Sequence, residues 1–115
     1  MIAQVRPADL AAWLQTVASD AAALPVLLDV REPWELQAAS VRPEGFRLVA
    51  IPMGDVPARW AEIDTGTPVA CLCHHGVRSL HVAAYLEHHG HECVANISGG
   101  IDAWAQEHDP GVPRY

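Results

Sequence analysis

The segment Cys73–Ser79 (CHHGVRS) contains the residue types that carry out thiol chemistry. Cys73 supplies a nucleophilic sulfur, Gly76 lets the backbone turn tightly, and Arg78 brings a fixed positive charge. The apolar run Val69–Cys73 comes before the segment and a helical pattern follows it, so the amides after Cys73 lead into a first helical turn. Converging amides and the helix dipole favour a negative group there, such as a thiolate. The segment therefore predicts cysteine-based catalysis.

The length of this loop separates two classes of cysteine enzyme. Four residues lie between Cys73 and Arg78. A phosphoryl-transfer loop has to enclose a tetrahedral phosphate, and the familiar signature for it is one residue longer. The shorter loop is better matched to one extra sulfur atom on the cysteine, so it favours persulfide chemistry. A small cysteine phosphatase or arsenate reductase is the less favoured alternative.

The rest of the chain predicts an α/β fold, because short apolar runs alternate with helical segments. Strands are predicted at Leu24–Val30, Arg47–Met53, Val69–Cys73 and Cys93–Ile97. Helices are predicted at Pro7–Ser19, Pro33–Ala39, Asp55–Ile63, Ser79–His89 and Ile101–Glu107. Strands that are apolar on both faces belong to a central, mostly parallel sheet flanked by helices on both faces. Such sheets bind ligands at the carboxyl ends of their strands, where Cys73 is expected.

Composition limits the classes of partner. The chain has 115 residues, enough for one domain, and a formal charge of -7. No basic surface is expected from seven arginines without a lysine, which excludes general binding to nucleic acid or to anionic membranes. The sequence shows no membrane-spanning run and no signal peptide at its start, so we expect a cytoplasmic protein. Three cysteines in that compartment indicate thiol chemistry or packing rather than disulfides.

Four segments together resemble a single-domain rhodanese of the sulfurtransferase superfamily. They are Asp29–Pro33 (DVREP), Ile51–Met53 (IPM), Cys73–Ser79 and Asn96–Trp104 (NISGGIDAW). The resemblance covers nearly the whole chain and implies one rhodanese domain, residues 1–115, with a rhodanese-like α/β fold. It also implies transfer of sulfane sulfur from a donor such as thiosulfate, or another persulfide, to a thiophilic acceptor such as cyanide or a thiol. No metal or organic cofactor is expected.

The resemblance also assigns roles to residues. Cys73 is the nucleophile that becomes a persulfide, and Asp29 and Arg31 are supporting residues at a strand end. Arg78 attracts an anionic donor or braces the loop through a carboxylate. The outer sulfur is held by the backbone of the residues after Cys73, which are His74, His75, Gly76, Val77, Arg78 and Ser79. Segment 39–46 departs from the family, since it is longer and lacks a frequent histidine, and we expect it to alter the rim of the site.

Several residues near this loop have simpler explanations. Cys71 lies on the same side of its strand as Cys73 and is either a resolving thiol or, more simply, a packing residue. Cys93 is expected in the core. His74 and His75 are too cramped with the cysteines for a zinc site and are expected at the pocket mouth. The later histidines, His88, His89 and His91, are expected at a solvated helix end, and the four tryptophans in packing contacts.

The partners expected are a small anionic sulfur donor and a thiophilic acceptor. A sulfur-relay protein is an alternative donor, in which case the chain is a carrier module with little activity on thiosulfate. The intact cysteine is compatible with both, because carrying sulfur requires the same thiol.

Overall fold

The computed structural model describes residues 2–17 and 24–115. Within them, a five-stranded sheet has the order β1-β5-β4-β2-β3, and every neighbouring pair is parallel. The strands are β1 (Ala3–Val5), β2 (Val26–Asp29), β3 (Arg47–Ala50), β4 (Val69–Leu72) and β5 (Val94–Ile97). The helices are α1 (Leu10–Val17), α2 (Pro33–Ala38), α3 (Val56–Arg59), α4 (Val77–His88) and α5 (Gly100–Glu107). The predicted α/β fold is confirmed.

The centre of the sheet is its most buried part. Every residue of β2, β4 and β5 is buried, whereas the edge strands β1 and β3 are partly exposed. Strand β4 lies between β2 and β5, and the register pairs Cys71 with Leu28 on one side and Asn96 on the other. The carboxyl ends of these three strands therefore lie at one edge of the sheet, and Cys73 follows the middle one.

Helices cover both faces of the sheet, as a parallel sheet requires, and a separate apolar core lies on each face. One core joins the sheet to α1 and α5 and includes Leu10, Leu27, Phe46, Ile97 and Trp104. The other joins it to α3 and α4 and includes Leu28, Val56, Cys71, Val82 and Leu86. Leu27 and Leu28 belong to different cores because successive side chains of a strand point to opposite faces. The strand that leads to the Cys73 loop is thus held from both sides.

The predicted elements differ from the observed ones mainly at their ends. The helix expected at Pro7–Ser19 begins with a 3-10 turn at Pro7–Asp9, and its last two positions lie outside the described residues. The segment Asp55–Ile63 is only partly α-helical, because α3 is flanked by the 3-10 turns Met53–Asp55 and Trp60–Glu62. Strand β1 was not predicted; its three residues are too few to show a period. No helix among residues 2–17 and 24–115 is long and apolar enough to span a bilayer.

The expectation of a solvated histidine cluster after α4 is wrong for one residue. His88 is exposed and His89 half-buried, but His91 is buried against the ring of Trp60, with a centroid distance of 6.1 Å. Neither ring nitrogen of His91 has a hydrogen-bond partner, and burial lowers the pKa of this side chain. His91 donates its backbone amide to Leu86 at 3.1 Å, and this turn at the helix end brings its ring inward. Cys93, which was expected in the core, is half-buried.

Candidate active site

The sulfur of Cys73 lies at the carboxyl edge of the sheet, immediately after β4. The residue is 1% exposed, and its Sγ accepts hydrogen bonds from the amide of Gly76 at 3.0 Å and the hydroxyl of Ser79 at 3.2 Å. Gly76 stands at the N-terminus of α4 with φ of 103°, a left-handed conformation that favours glycine. The turn at Gly76 therefore aims an amide of the loop at the sulfur, and the first turn of α4 adds a hydroxyl.

Asn96, in β5, holds this loop from the neighbouring strand. Its Nδ2 donates to the carbonyl of Gly76 at 3.1 Å and to Oε1 of Gln4 at 3.0 Å. Both amide protons are used in this way, which directs Oδ1 of Asn96 toward Ser79 Oγ at 2.5 Å. Gln4 belongs to β1, so the strand that the sequence did not reveal also supports the site.

The amino end of α5 is hydrogen-bonded to the backbone at the start of the loop. The carbonyls of Cys73 and His74 accept the amides of Ile101 at 2.9 Å and Asp102 at 3.1 Å. This approach leaves no space beside Gly100, where a Cβ atom would lie 2.5 Å from the Cys73 carbonyl oxygen. The glycine pair in the NISGGIDAW segment thus has a packing reason, because an added Cβ at Gly99 would also lie 2.6 Å from Cβ of Ala103.

Arg78 is paired with Glu35, a buried residue of α2. Nη1 and Nη2 of Arg78 donate to Oε1 and Oε2 of Glu35 at 2.6 and 2.7 Å. Glu35 is 3% exposed, and these hydrogen bonds, with one from Tyr115, lower its pKa from 4.5 to about 2 although burial acts in the opposite direction. The same contact raises the pKa of Arg78 further. The structure places Arg78 as a brace through a carboxylate, and the pair carries no net charge.

Asp29 and Arg31 form a second, buried ion pair that contacts the backbone of Glu35. Arg31 is fully buried and binds Asp29 through Nε at 2.9 Å and Nη2 at 2.7 Å. Its remaining nitrogen, Nη1, donates to the backbone carbonyl of Glu35 at 3.2 Å and to the hydroxyl of Tyr115 at 3.1 Å. The two residues therefore hold α2 and its carboxylate in place, and within the described part of the chain none of their side-chain hydrogen bonds reaches Cys73.

Of the two histidines after Cys73, His75 is exposed and His74 is half-buried. The ring of His74 stacks between those of His75 and Tyr115, with both centroid distances 4.0 Å. Its Nε2 is buried without a hydrogen-bond partner, and burial, followed by the neighbouring His75, lowers the pKa of His74. At neutral pH this lowering reduces the positive charge on His74. Val77, in contrast, is 66% exposed at the surface beside the loop.

His74, His75 and Asp102 form the one group of three among the described residues with ligand atoms close enough for a metal ion, within 4.8 Å of one another. The two imidazole rings are within 23° of parallel, so their in-plane lone pairs do not converge on one point. Asp102 already accepts two hydrogen bonds from Arg114, at 2.9 and 3.2 Å. A metal would have to rotate an imidazole ring and share the Asp102 carboxylate with Arg114, so these residues do not form a ready metal site.

The other sequence-predicted features lie outside the immediate loop. Cys71 is buried in the same core as Cys73, and burial raises the pKa of its thiol. Segment 39–46 packs Phe46 edge-on against Trp104, with ring centroids 6.3 Å apart, and Arg42 pairs with Asp109 at 3.0 Å. The segment also contacts α2, because the Ala39 amide donates to the Glu35 carbonyl at 3.0 Å and the Ser40 hydroxyl donates to the Leu36 carbonyl at 2.5 Å. Its effect on the rim of the site stays a prediction.

Sequence reasoning missed two site residues, Glu35 and Tyr115. The side chain of Glu35 accepts a hydrogen bond from the amide of Glu32 at 3.1 Å. A glutamate at the third position of a helix makes this contact in an ordinary capping box, so the sequence pattern indicates only a helix cap. Tyr115 follows glycine- and proline-containing turns and carries no spacing signal. Asn96 belongs to the NISGGIDAW segment, but the sequence pattern did not indicate its contact with the Cys73 loop.

A cysteine at the carboxyl end of a central parallel strand, bound by the Gly76 amide at the start of a helix, defines an α/β protein with a candidate thiol site. The rhodanese-like domain profile matches residues 7–107, and the chain belongs to this family. A sulfurtransferase of Allochromatium vinosum is 38% identical over 88 residues, 76% of this chain and 76% of the relative. The thiosulfate sulfurtransferase GlpE of Tolumonas auensis is 37% identical over 78 residues, 68% of this chain and 70% of the relative.

Two further comparisons concern length and fold. The chain spans 30% of the chloroplastic rhodanese-like/PpiC domain-containing protein 12 of Arabidopsis thaliana, with 35% identity over 91 residues, or 77% of this chain. The crystal structure of a rhodanese-related protein from Thermoplasma volcanium has a TM-score of 0.75 and 26% identity, covering 98% of this chain and 99% of that one. The fold and the sulfurtransferase family of this chain thus agree with its sequence motifs.

Proposed function

We propose that this protein transfers sulfane sulfur through a persulfide on Cys73, with thiosulfate or another persulfide as donor and cyanide or a thiol as acceptor. The observation that carries the proposal is the setting of the sulfur: Cys73 Sγ accepts from the Gly76 amide and the Ser79 hydroxyl at the carboxyl edge of the sheet. Hydrogen-bond donors in general stabilise a thiolate more than a thiol, and the thiolate is the nucleophilic form of cysteine.

The reaction has two displacement steps. In the first, the Cys73 thiolate attacks the outer sulfur of thiosulfate; a new S–S bond forms, and sulfite leaves with the electrons of the old one. In the second, cyanide attacks the outer sulfur of the persulfide, thiocyanate leaves, and the Cys73 thiolate is restored. The backbone amides of residues 74–79 and the amino end of α4 supply partial positive charge for the outer sulfur. No external oxidant or reductant is needed with cyanide as acceptor.

Intact mass after incubation with thiosulfate tests this proposal. We expect the mass to rise by one sulfur atom, and cyanide to remove it with release of thiocyanate. Cys73→Ser should take up no sulfur, whereas the matched variant Cys71→Ser should take it up like the parent protein. Uptake that survives Cys73→Ser, or no uptake by the parent protein from thiosulfate or a persulfide donor, would refute the proposal.

A second candidate is a carrier that receives sulfur from a protein. Two observations favour it. Glu35 neutralises Arg78, so the cation nearest the loop is already paired, and apolar side chains are exposed around the loop. Trp34 is 63% exposed on α2, Val77 is 66% exposed, and Leu80 is partly exposed in the first turn of α4. A dianion such as thiosulfate gains little from this surface, whereas a protein donor can cover it. We place either reaction in the cytoplasm, where reducing conditions keep thiols free.

Loading rates with two donors distinguish these candidates. A carrier should take sulfur from a persulfidated protein donor at least tenfold faster than from thiosulfate at equal concentration. Val77→Ser removes apolar surface without adding a charge that would repel a dianion, so it should slow loading from the protein donor while changing loading from thiosulfate much less. Equal rates from both donors, unaffected by Val77→Ser, would leave the small-molecule reaction as the function.

A further inference from the structure

We propose that Tyr115 is a positioning residue of the Cys73 loop, fixing the loop at both of its ends. The catalytic part of this inference rests on the proposed sulfur transfer, whereas the ordering of the loop does not. Tyr115 lies outside the residues 7–107 that the rhodanese-like profile matches. Its role is therefore a property of this chain that family membership does not supply.

The hydroxyl of Tyr115 acts on the far end of the loop through Glu35. It donates to Glu35 Oε2 at 2.7 Å and accepts from Arg31 Nη1 at 3.1 Å. Glu35 in turn holds Arg78, the sixth residue of the segment that begins at Cys73. A buried carboxylate keeps a bidentate contact with an arginine only if further contacts fix its orientation. The Tyr115 hydroxyl supplies such a contact, because it donates to Glu35 Oε2, the oxygen that also binds Arg78 Nη2.

The ring of Tyr115 acts on the near end of the loop. It stacks on His74, the residue after the nucleophile, at 4.0 Å with an interplanar angle of 9°. Its other aromatic contact is edge-on with Trp34 at 5.9 Å, which ties the ring to α2. The backbone of His74 is already held by the Asp102 amide, and its side chain has a hydrogen bond with the Tyr115 backbone. The stack adds a contact to this side chain that only the Tyr115 ring supplies.

One side chain thus contacts both a direct neighbour of Cys73 and the carboxylate that holds Arg78. The two contacts can be removed in turn. Tyr115→Phe keeps the ring on His74 and removes the hydroxyl from Glu35, whereas Tyr115→Leu removes both. The chain contains one other tyrosine, Tyr85, which is half-buried on α4 and contacts His89 at 4.3 Å. Tyr85→Phe is therefore a matched control for loss of a hydroxyl.

The experiment measures two quantities on the full chain. The first is single-turnover sulfur uptake from thiosulfate over a range of concentrations, followed by intact mass. The second is hydrogen–deuterium exchange of peptides that cover residues 73–80. We expect Tyr115→Phe to lower the maximal uptake rate about threefold to tenfold, with the half-saturating thiosulfate concentration unchanged within twofold, because a loosened loop spends less time in the reactive geometry. Tyr115→Leu should lower it further.

Amide exchange over residues 73–80 should be faster in both Tyr115 variants and unchanged in Tyr85→Phe. Parent-like exchange in Tyr115→Phe and Tyr115→Leu would overturn the inference. A parent-like maximal uptake rate in both variants would also overturn it. The same holds if the fall in rate matches a lower fraction of titratable Cys73 thiol, because that result indicates partial unfolding. If Tyr115→Leu does not fold, Tyr115→Phe alone decides. If the parent protein takes up no sulfur, the proposed function fails, and amide exchange still decides whether Tyr115 orders the loop.

Discussion

The hydroxyl of Ser79 lies 3.2 Å from the sulfur of Cys73 and only 2.5 Å from Oδ1 of Asn96. A hydroxyl has one proton, so Ser79 donates to one of these acceptors at a time. While Cys73 is a thiol, its own S–H can donate to the Ser79 oxygen and the hydroxyl proton can stay on Asn96. When Cys73 ionises, the hydroxyl proton has to turn to the sulfur. Ionisation of the nucleophile is thereby coupled to a hydrogen bond that ties α4 to β5.

Ser79→Ala tests this coupling. The Gly76 amide still reaches the sulfur in the variant, but the second donor is lost and Asn96 Oδ1 loses its partner. We expect the rate of sulfur uptake from thiosulfate to fall about tenfold, less than is typical for an oxyanion donor because sulfur accepts hydrogen bonds weakly. The measurement is intact mass against time. Ser40→Ala, which removes a hydroxyl bound to the Leu36 carbonyl far from the loop, is the control; equal rates in the two variants would contradict the coupling.

The Glu35–Arg78 pair predicts a pH dependence of stability. The pKa of Glu35 is lowered to about 2 from an ordinary value of 4.5, so the folded protein favours its ionised form. The stability that Glu35 contributes is therefore complete above its unfolded pKa and is lost as pH falls from about 5 toward 2. At pH 7, Glu35→Gln should lower the free energy of unfolding by about 2 kcal/mol, the scale of hydrogen bonds to a charged group.

The difference between parent and Glu35→Gln should shrink as the pH approaches 2, measured by urea unfolding at a series of pH values. Glu62→Gln is the control, because its pair with Arg59 joins two exposed side chains. Solvent screens such a pair, so this variant should differ much less from the parent. A Glu35→Gln difference that stays constant between pH 7 and pH 3 would show that the ion pair does not stabilise the fold.

Much of the architecture could be predicted from sequence because the central strands carry a strong signal. Strands β2, β4 and β5 are buried on both faces, and burial on both faces requires the continuous apolar runs that mark them. Strand β1 was missed because it is a three-residue edge strand, and α3 is shorter than predicted because 3-10 turns also bring residues i and i+3 to one side. Such short elements form through contacts with distant residues, such as Gln4 with Asn96, that no local pattern contains.

The candidate site was predictable where its residues are consecutive and unpredictable where they are distant in sequence. The Cys73–Ser79 loop is one continuous segment, so its spacing could be interpreted directly. The partner of Arg78 is 43 residues away, and Tyr115 is 80 residues from Glu35. Hydrogen bonds of that kind depend on the folded backbone. The sequence left two roles open for Arg78, and only the folded structure shows that a carboxylate is within reach of this arginine.

Cys71 predicts a negative result that separates packing from redox chemistry. The thiol is fully buried, and burial raises its pKa, so it stays protonated and unreactive at neutral pH. Cys71→Ala should take up sulfur at a rate within twofold of the parent, while losing about 1 kcal/mol of stability to the small cavity. Diamide treatment and mass analysis check the alternative. A Cys71–Cys73 disulfide that protects the parent from alkylation, and is absent in Cys71→Ala, would show a resolving thiol.

Gly100→Ala should displace the Cys73 loop, because the glycine meets two separate restrictions. Its φ is 62°, which any side chain disfavours, and an added Cβ would collide with the carbonyls of Cys73 and His74. Gly90→Ala separates the two effects, since φ there is 97° but no atom lies within 4 Å of the added Cβ. We expect Gly90→Ala to lower stability by about 1 kcal/mol through backbone strain alone, and Gly100→Ala by about 3 kcal/mol.

The two variants should also differ in chemistry. The amides of Ile101 and Asp102 hold the Cys73 and His74 carbonyls, so pushing α5 away moves the backbone that carries the nucleophile. Sulfur uptake should therefore fall at least tenfold in Gly100→Ala at a temperature where the variant is folded, and stay near the parent rate in Gly90→Ala. Gly54→Ala, where φ is ordinary and the space is open, should change neither quantity. Parent-like uptake by folded Gly100→Ala would mean that the close approach of α5 serves packing and leaves the reactive geometry unaffected.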